Sequence, residues 1–272
     1  MGIIDISVLN NFMTGSDSMY KIINAEKFLW ENINLDGKQV LEGGTSWGNT
    51  TRIIAERVKE NKWKTKLISV DVDDSHFDEI EKDIGSDFRE LKLRKGDLSD
   101  LHFVETETID VVVCNYTLSS VNQFPLRAVR ALKELYRVLK PKGQLLITEE
   151  MPIWSVDNSE YEYWSKRLRV IKSISNLKAM AQFNEMHPTD LESTLEIIGF
   201  KEIQWREFKE KINAEMATKF LDKRKQTLIK GKNDINNKKL TDGYVEVTEA
   251  LVKEFENAKE FPAPGYIIKA IK

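Results

Sequence analysis

The feature that most constrains this chain is a repeated alternation between short runs of β-branched residues and stretches whose apolar residues recur at helical spacing. Residues 110–114 read DVVVC, a near-continuous apolar run that is typical of a parallel strand covered on both faces. Further strands are predicted at 39–42, 67–71, 90–93 and 144–148. Strands that alternate with crossover helices predict an α/β fold built on a right-handed, doubly wound sheet.

The predicted helices set the boundaries of these strands. One helix begins after Gly48, with Asn49, Thr50 and Thr51 as possible N-cap residues. Another carries apolar residues at steps of three and ends at 140–143, where proline and glycine stop it. Because ligands of doubly wound sheets bind at the carboxyl ends of the strands, functional residues are expected there.

The loop after the first strand lies within the sequence VLEGGTSWGN, residues 40–49. Its glycines let the backbone turn sharply and approach a ligand closely, and the next helix start offers free N–H groups. The dinucleotide-binding spacing G-x-G-x-x-G fails, because Thr45 or Ser46 stands at the second glycine. Glu42, at the last position of the strand, would repel phosphates and attract an ammonium group. The loop therefore predicts a ligand with an ammonium group in preference to a pyrophosphate.

Two further acids follow strand ends. Asp71 ends the second strand, where a carboxylate can accept hydrogen bonds from both hydroxyls of a ribose. Asp97 occupies the turn after the third strand. Structural alternatives stay open, since Asp71, Asp73 or Asp74 could cap a helix and Asp97 could close an Asx turn.

Taken in order, these segments resemble the class I S-adenosylmethionine-dependent methyltransferases over roughly residues 17–207. The matching segments are 42–48 for the first motif, 69–71 for the second, 96–98 for the third, 110–121 for the fourth, and 131–147 for a stretch frequent in the small-molecule branch. The resemblance implies a Rossmann-like, mostly parallel seven-stranded sheet, S-adenosylmethionine as the cofactor, and methyl transfer as the activity.

The resemblance also implies residue roles. In that family the acid and glycines of the first motif hold the methionine part, the second-motif acid binds the ribose, and the third-motif acid meets the adenine amino group. By position, these roles fall to Glu42, Gly44 and Gly48, to Asp71, and to Asp97. Further cofactor contacts are expected from Gly43, Thr45, Val72, Leu98, Asn115 and Tyr20.

The sequence departs from the family pattern in the first motif, and the role of Tyr20 has two interpretations. Ser46 replaces the usual middle glycine, which predicts a modestly altered loop path. Tyr20, on a predicted N-terminal helix, either closes over the cofactor or packs as part of that helix. Asn115 and Tyr116 do not form the Asn/Asp-Pro-Pro-Tyr signature of methylation at nucleobase or glutamine amino groups, which argues against such acceptors.

The acceptor is expected in the segment 151–186, after the fifth strand. Aromatic residues are frequent there, at Trp154, Tyr161, Tyr163 and Trp164. They favour an apolar pocket for a small planar or hydrophobic acceptor, although the same residues could equally be core.

Methyl transfer from a sulfonium requires alignment and, for O, N or acidic C–H acceptors, removal of a proton. The candidate catalytic residues are His187, Glu149 and Glu150. His187 precedes a proline and could instead be a turn residue, and some members of the family need no base. The single Cys114 excludes a Cys-cluster metal site, and no metal is expected.

The last part of the chain departs from the family pattern. A sixth strand at 200–205 is not followed at once by the seventh, which is predicted at 266–271. The division predicted is a core at 1–207, inserted helices at 208–260 and a final core strand at 261–272. Tyr244, Val247, Leu251 and Phe255 form an apolar stripe on the second inserted helix, which packs on the sheet edge, forms a cap or makes a homodimer contact.

Composition narrows the function classes. The chain has 272 residues, with 41 Lys plus Arg against 44 Asp plus Glu and a formal charge of −3. The basic stretch 222–239 lacks interleaved aromatics, so nucleic acid is an improbable partner. One cysteine, no basic n-region and no long apolar run predict a cytoplasmic protein without a membrane anchor.

The function favoured by the sequence is methyl transfer to a small organic acceptor by direct displacement in a closed pocket. The alternatives are a methyltransferase acting on RNA or protein and a non-catalytic module that binds the same cofactor. A Rossmann oxidoreductase is disfavoured by the failed glycine spacing.

Overall fold

The sheet is the framework of the molecule. The computed structural model describes residues 20–21, 25–124, 126–157, 159–177, 182–230 and 238–272. Within them the strands are β1 (Tyr20–Lys21), β2 (Gln39–Gly43), β3 (Lys66–Asp71), β4 (Leu91–Lys95), β5 (Ile109–Asn115), β6 (Leu139–Glu150), β7 (Lys201–Asn213) and β8 (Glu260–Ile271). They form one sheet in the order β1-β7-β8-β6-β5-β2-β3-β4.

The direction of the strands confirms the predicted fold class. β2 to β6 run parallel to one another, and β8 is antiparallel to both β6 and β7. The mostly parallel, doubly wound sheet of seven strands is therefore present, with β1 as a short eighth strand at the edge.

Strand β1 overturns one prediction. Tyr20 pairs antiparallel with Ile212 of β7, and the first described helix begins only at Ala25. The expectation that Tyr20 lies on a helix is therefore wrong. An extended segment along the long β7 edge satisfies backbone groups that would otherwise be unpaired. The predicted contact of the Tyr20 side chain with the cofactor lies outside the described part of the structure.

Helices cover both faces of the sheet. They are α1 (Ala25–Trp30), α2 (Asn49–Asn61), α3 (Phe77–Ile84), α4 (Leu118–Val121), α5 (Arg127–Val138), α6 (Glu162–Leu177), α7 (Pro188–Ile198), α8 (Ala214–Lys230) and α9 (Lys238–Glu256). No helix in the described ranges is both long enough and apolar enough to cross a membrane.

Strand β5 shows why two layers are needed. Val111 and Val113 pack into a core with α1 and α2, whereas Val112 and Cys114 pack into a second core with α5 and α7. Successive side chains of a strand point to opposite faces, so an unbroken apolar run demands cover on both.

The inserted helices build a third core. Leu221 of α8 and Leu251 and Phe255 of α9 are buried together with Trp164 and Ile171 of α6. The two inserted helices leave the sheet at the far end of the long β7–β8 ladder and, with α6, form a helical cap. Because their apolar stripe is buried within the chain, the argument for a homodimer contact loses its basis.

The stripe on α9 differs from the prediction at one residue. Val247 is 50% exposed, and Thr248 takes its place among the buried residues, with Tyr244 partly buried in the same core. The buried positions then follow steps of four, three and four, which keeps one helical face toward the cap.

The aromatic segment after β6 is largely core. Tyr161 and Trp164 are buried in the cap, and Tyr163 packs on Phe255 and Phe261 there. Of the four aromatic residues predicted near an acceptor pocket, Trp154 alone stays widely exposed, at 74%. The core alternative therefore holds for the other three, because α6 needs an apolar face against α8 and α9.

Candidate cofactor site and active site

The turn after β2 depends on two glycines with left-handed backbone. Gly44 has φ +84°, and a Cβ there would lie 2.1 Å from Thr117 Oγ1. Gly48 has φ +79°, and a Cβ there would lie 2.6 Å from Ile80 Cγ1. Gly44 N–H donates to Val70 O at 2.8 Å, which ties the turn to β3. Only glycine fits both positions, as the first motif requires.

Ser46, at the expected middle glycine, adopts a left-handed φ of 47°. Its backbone N–H donates to Asp71 Oδ2 at 2.7 Å. The altered loop path predicted from the sequence is thus held by the same carboxylate that the second motif supplies. Trp47 covers this loop from outside, with its ring 3.8 Å from that of His76.

Glu42 lies beneath the turn and is 1% exposed. Its Oε2 accepts hydrogen bonds from Thr51 Oγ1 and Ser69 Oγ, both at 2.7 Å. Its Oε1 is buried without a partner. Burial raises the pKa of Glu42 to about 7, although the two hydroxyl donors oppose the shift. A cationic group beside Oε1 would restore the charged form.

Asn115, at the end of β5, likewise has one hydrogen-bonded polar atom and one buried polar atom without a partner. Its Nδ2 donates to Thr50 Oγ1 at 3.0 Å, and its Oδ1 is buried without a partner. The strand registers place Glu42 and Asn115 on one face of the sheet, since Glu42 lies beside Val113 and Val113 precedes Asn115 by two.

The start of α2 corrects a prediction. Its N-cap residue is Gly48, with no side-chain cap, instead of Asn49, Thr50 or Thr51. Thr50 and Thr51 point to Asn115 and Glu42. The N-cap residue itself therefore provides no side-chain cap, and the N-terminal end of α2 faces the turn after β2.

Asp71 stands where the sequence placed it. Besides Ser46 N–H, it accepts a hydrogen bond from Asp73 N at 3.0 Å, an Asx turn at the end of β3. Each carboxylate oxygen can accept a second hydrogen bond, so both functions are compatible. Val72 follows with 62% exposure, and its apolar side chain is open to a flat ring.

The carboxylate of the third motif already has several partners within the protein. Asp97 accepts hydrogen bonds from the backbone and hydroxyl of Ser99, both at 2.9 Å, and forms an ion pair with Arg127. Partial burial works against these contacts, which nevertheless lower the pKa of Asp97. The Asx-turn alternative is thus realised. Leu98 is buried against Gly43, where it supports the turn from behind.

Thr45 and Gly43 complete the first motif. Thr45 is buried, and its hydroxyl lies 2.6 Å from Ser69 Oγ. The Gly43 carbonyl accepts a hydrogen bond from Thr117 Oγ1 at 2.9 Å. Both residues shape the turn through contacts within the protein.

The fit of S-adenosylmethionine can be tested on these atoms. Glu42 Oε1 and Asn115 Oδ1 are acceptors that need a donor, and Asp71 retains accepting capacity at the next strand end. An ammonium group and ribose hydroxyls are donors, whereas a phosphate offers acceptors. The residues present therefore fit an aminoacyl nucleoside and do not fit a pyrophosphate.

At the acceptor end, Glu149 and Glu150 point to opposite faces of β6. Glu149 is buried and accepts hydrogen bonds from the backbone N–H groups of Leu118 at 2.5 Å and Ser119 at 3.4 Å. Burial raises the pKa of Glu149 to about 8. It caps α4 from beneath, which is a positioning geometry. Glu150 is half-buried on the face that carries Asn115.

His187 is the N-cap residue of α7. Its Nδ1 lies 2.7 Å from Thr189 Oγ1, and its ring stacks on Trp154 with the centroids 5.4 Å apart. The turn alternative is therefore realised, while the residue remains partly exposed beside Trp154, which follows β6.

Sequence reasoning missed Glu210. It lies on β7, beyond the predicted end of that strand, and accepts a hydrogen bond from Tyr116 Oη at 2.5 Å. The alternating pattern along 201–213 could have extended the strand, but no local signal joins Glu210 to a tyrosine 94 positions away.

Comparisons with known proteins cover the part of the chain that contains the predicted cofactor residues. Residues 40–143 match the family model of a methyltransferase domain. A ubiquinone/menaquinone biosynthesis C-methyltransferase of Haemophilus ducreyi is 24% identical over 202 residues, which cover 65% of this chain and 72% of that protein. The matched domain contains every residue from Glu42 to Asn115 that is predicted to contact the cofactor, and it stops short of Glu149.

Solved structures share the fold. A provisionally assigned methyltransferase of Bacillus halodurans C-125 superposes with a TM-score of 0.59 and 17% identity, covering 91% of this chain and 97% of that chain. A methyltransferase of Archaeoglobus fulgidus that depends on S-adenosylmethionine superposes with a TM-score of 0.53 and 17% identity, covering 98% of this chain and 99% of that chain.

Proposed function

We propose, on the premise that this chain is a class I S-adenosylmethionine-dependent methyltransferase, that its acceptor is a small organic molecule with a planar, partly apolar surface. The observation that carries the cofactor part of the proposal is a pair of buried oxygen atoms without hydrogen-bond donors, Glu42 Oε1 and Asn115 Oδ1. Buried acceptors of this kind need donors, which an ammonium group and ribose hydroxyls provide.

When bound, the cofactor supplies an electrophilic methyl group. The residues of this chain would hold and orient it. Glu42, fixed by Thr51 and Ser69, would accept hydrogen bonds from the amino group, and Asp71 would accept them from the ribose. The glycine turn would let the backbone approach the cofactor closely.

The surface beyond those strand ends supports an apolar acceptor. Trp154, Phe124 and Phe183 are exposed there. The loop at 182–187 lies against α4, since Asn184 N–H donates to Ser119 O at 2.9 Å. Exposed aromatic rings beside a cofactor cleft suit a flat organic molecule. The Haemophilus ducreyi relative is a C-methyltransferase, and from it we extend to this chain only the small-molecule acceptor class.

Proton removal from the acceptor has several candidates at this edge. We propose Glu150 and His187 as groups that can approach the acceptor, because both are partly exposed, Glu150 at the end of β6 and His187 beside Trp154. Glu149 would act indirectly, because its carboxylate holds α4 in place. A cytoplasmic location, which we also propose, suits the single buried thiol of Cys114.

The direct test has two parts. Isothermal titration with S-adenosylhomocysteine measures cofactor binding, and NAD serves as the comparison ligand. Incubation with S-adenosylmethionine and a metabolite pool, followed by mass spectrometry, seeks a product heavier by one CH₂. Binding of NAD in place of S-adenosylhomocysteine would reject the cofactor, and absence of any methylated product would favour a non-catalytic module.

Asp71→Ala is expected to weaken S-adenosylhomocysteine binding by about 1.5–3 kcal/mol, because a charged acceptor for the ribose is lost. Asp73→Ala is the matched control, since Asp73 is exposed and accepts a hydrogen bond from Ser75 N–H in a neighbouring turn. Equal dissociation constants for the two variants, measured by calorimetry, would reject the ribose assignment.

A further inference from the structure

We propose that Tyr116 and Glu210 form the proton-accepting pair of the acceptor site, with Tyr116 touching the acceptor and Glu210 acting through it. The proposal rests on the proposed function and adds two residues to it. It starts from a juxtaposition that only the tertiary structure creates, a tyrosine after β5 bonded to a buried carboxylate on β7.

The position of Tyr116 places it beside the cofactor turn. It directly follows Asn115, whose Oδ1 needs a donor, and it precedes Thr117, which packs on Gly44 and donates to Gly43 O. Its N–H donates to Thr148 O at 2.8 Å, so the residue spans β5 and β6. Its side chain is partly exposed.

The backbone of Tyr116 supports a functional role. Its φ is +51°, a left-handed value that a bulky residue seldom adopts. Such strain persists where the surroundings over-determine it, and it is concentrated at ligand sites. From the end of β5 the phenol reaches Glu210 on β7, on the far side of β6 and β8.

Glu210 is the unusual partner. It is 3% exposed, and Tyr116 Oη donates to its Oε1 at 2.5 Å. The strand registers place Glu210 and Glu150 on the same sheet face, on either side of β8. Lys209 and Lys211, its neighbours along β7, point to the other face and pair with Glu160 and Glu260.

The described groups that face Glu210 are therefore the phenol of Tyr116 and a second acid, Glu150. Burial raises the pKa of Glu210 to about 8, and the nearby Glu150 adds to the shift, while the Tyr116 hydrogen bond opposes it. If the hydrogen bond between Tyr116 and Glu210 served only to anchor β7, a neutral amide side chain at position 210 would accept it equally well. A buried carboxyl with a raised pKa is a stronger base, once ionised, than an ordinary glutamate.

The proton transfer balances as follows. The O–H bond of the acceptor breaks, its proton passes to the Tyr116 oxygen, and the Tyr116 proton passes to the Glu210 carboxylate. The acceptor keeps the electron pair and uses it, directly or through its ring carbon, to attack the methyl carbon, while the carbon–sulfur pair stays on sulfur. The proton returns to solvent after product release.

The test uses the full chain with S-adenosylhomocysteine and 4-nitrophenol as an acidic hydroxyl probe, whose phenolate absorbs visible light. In the wild type, we expect bound probe to ionise with an inflection near the pKa of Glu210, about 8. Tyr116→Phe and Glu210→Gln should lose that inflection and bind the probe at least about tenfold more weakly. Glu207→Gln, an exposed acid on the same strand, should behave as wild type.

S-adenosylhomocysteine affinity, measured by calorimetry, separates this proposal from the proposed function. It should be unchanged in all three variants, and its absence in the wild type would reject the function itself. An unaltered inflection in Tyr116→Phe or in Glu210→Gln, or failure of 4-nitrophenol to bind a wild type that binds S-adenosylhomocysteine, would overturn the pair. If Glu210→Gln fails to fold, Tyr116→Phe decides alone.

Discussion

The two ends of the cleft are built in different ways. The cofactor end, around the turn after β2, is made by residues from three neighbouring parallel strands, and its constraints are backbone constraints such as the left-handed φ of Gly44 and Gly48. The acceptor end that we propose consists of residues far apart in sequence, including the hydrogen-bonded Tyr116 and Glu210, with the helical cap beyond them. Local geometry therefore determines one end, and long-range packing determines the other.

The electrostatics differ in the same way. At the cofactor end, Glu42 has hydroxyl donors on one oxygen and an unpaired second oxygen, which a cationic group can satisfy. At the proposed acceptor end, burial raises the pKa of Glu149 and of Glu210, and the charge of Glu150 adds to both shifts. The first arrangement favours binding of a positive charge, and the second favours uptake of a proton.

The largest effect that separates the two ends is expected from Gly44→Ala. The new Cβ would collide with Thr117, and the left-handed backbone would be strained as well. S-adenosylhomocysteine affinity should fall by more than about 100-fold, or ~2.7 kcal/mol. Gly37→Ala is the control, since Gly37 also has a positive φ but open space around it. If calorimetry showed equal losses of S-adenosylhomocysteine affinity in both variants, the collision with Thr117 would not be the cause of the loss.

Leu251→Ala tests whether the cap is energetically separate. Leu251 is buried in the cap core, so the truncation should reduce the free energy of unfolding by about 2–4 kcal/mol. Val247→Ala, on the exposed face of the same helix, should change it by less than about 0.5 kcal/mol. Urea unfolding measures both. A loss of S-adenosylhomocysteine affinity in folded Leu251→Ala would contradict the separation of the two ends.

Glu42→Gln tests the charge at the cofactor end. Above pH 7 the wild-type carboxyl is ionised and ready for an ammonium group, so Glu42→Gln should bind S-adenosylhomocysteine about tenfold more weakly. As pH falls through the pKa of about 7, the wild-type carboxyl takes up a proton that binding must expel, and its affinity should fall toward that of the variant. Parallel pH profiles by calorimetry would reject this role.

The smallest effect is expected from His187→Ala. Loss of the N-cap of α7 should reduce the free energy of unfolding by about 0.5–1 kcal/mol, and turnover should fall about threefold while cofactor binding is spared. Thr189→Val removes the partner of Nδ1 and keeps the ring. Unaltered turnover of His187→Ala at every pH would leave this residue as a cap alone.

Particular residues show how far prediction reached. The alternation of strands and helices and the glycine turn were predictable because both depend on local patterns, the periodicity of apolar residues and backbone freedom at Gly44. Predictions of single roles were weaker. The helix expected at Tyr20 is an edge strand, Val247 lies outside the buried stripe, and Asn49, Thr50 and Thr51 do not cap α2.

The sequence by itself determined the doubly wound sheet, the cofactor turn and the acids at the strand ends, because each follows from spacing within a few residues. Only the tertiary structure decided that the inserted helices cover α6, that the aromatic residues of α6 are core, and that Glu210 meets Tyr116. These outcomes depend on which distant faces are buried together, and burial free energy is a property of the whole packed chain. No local pattern encodes it.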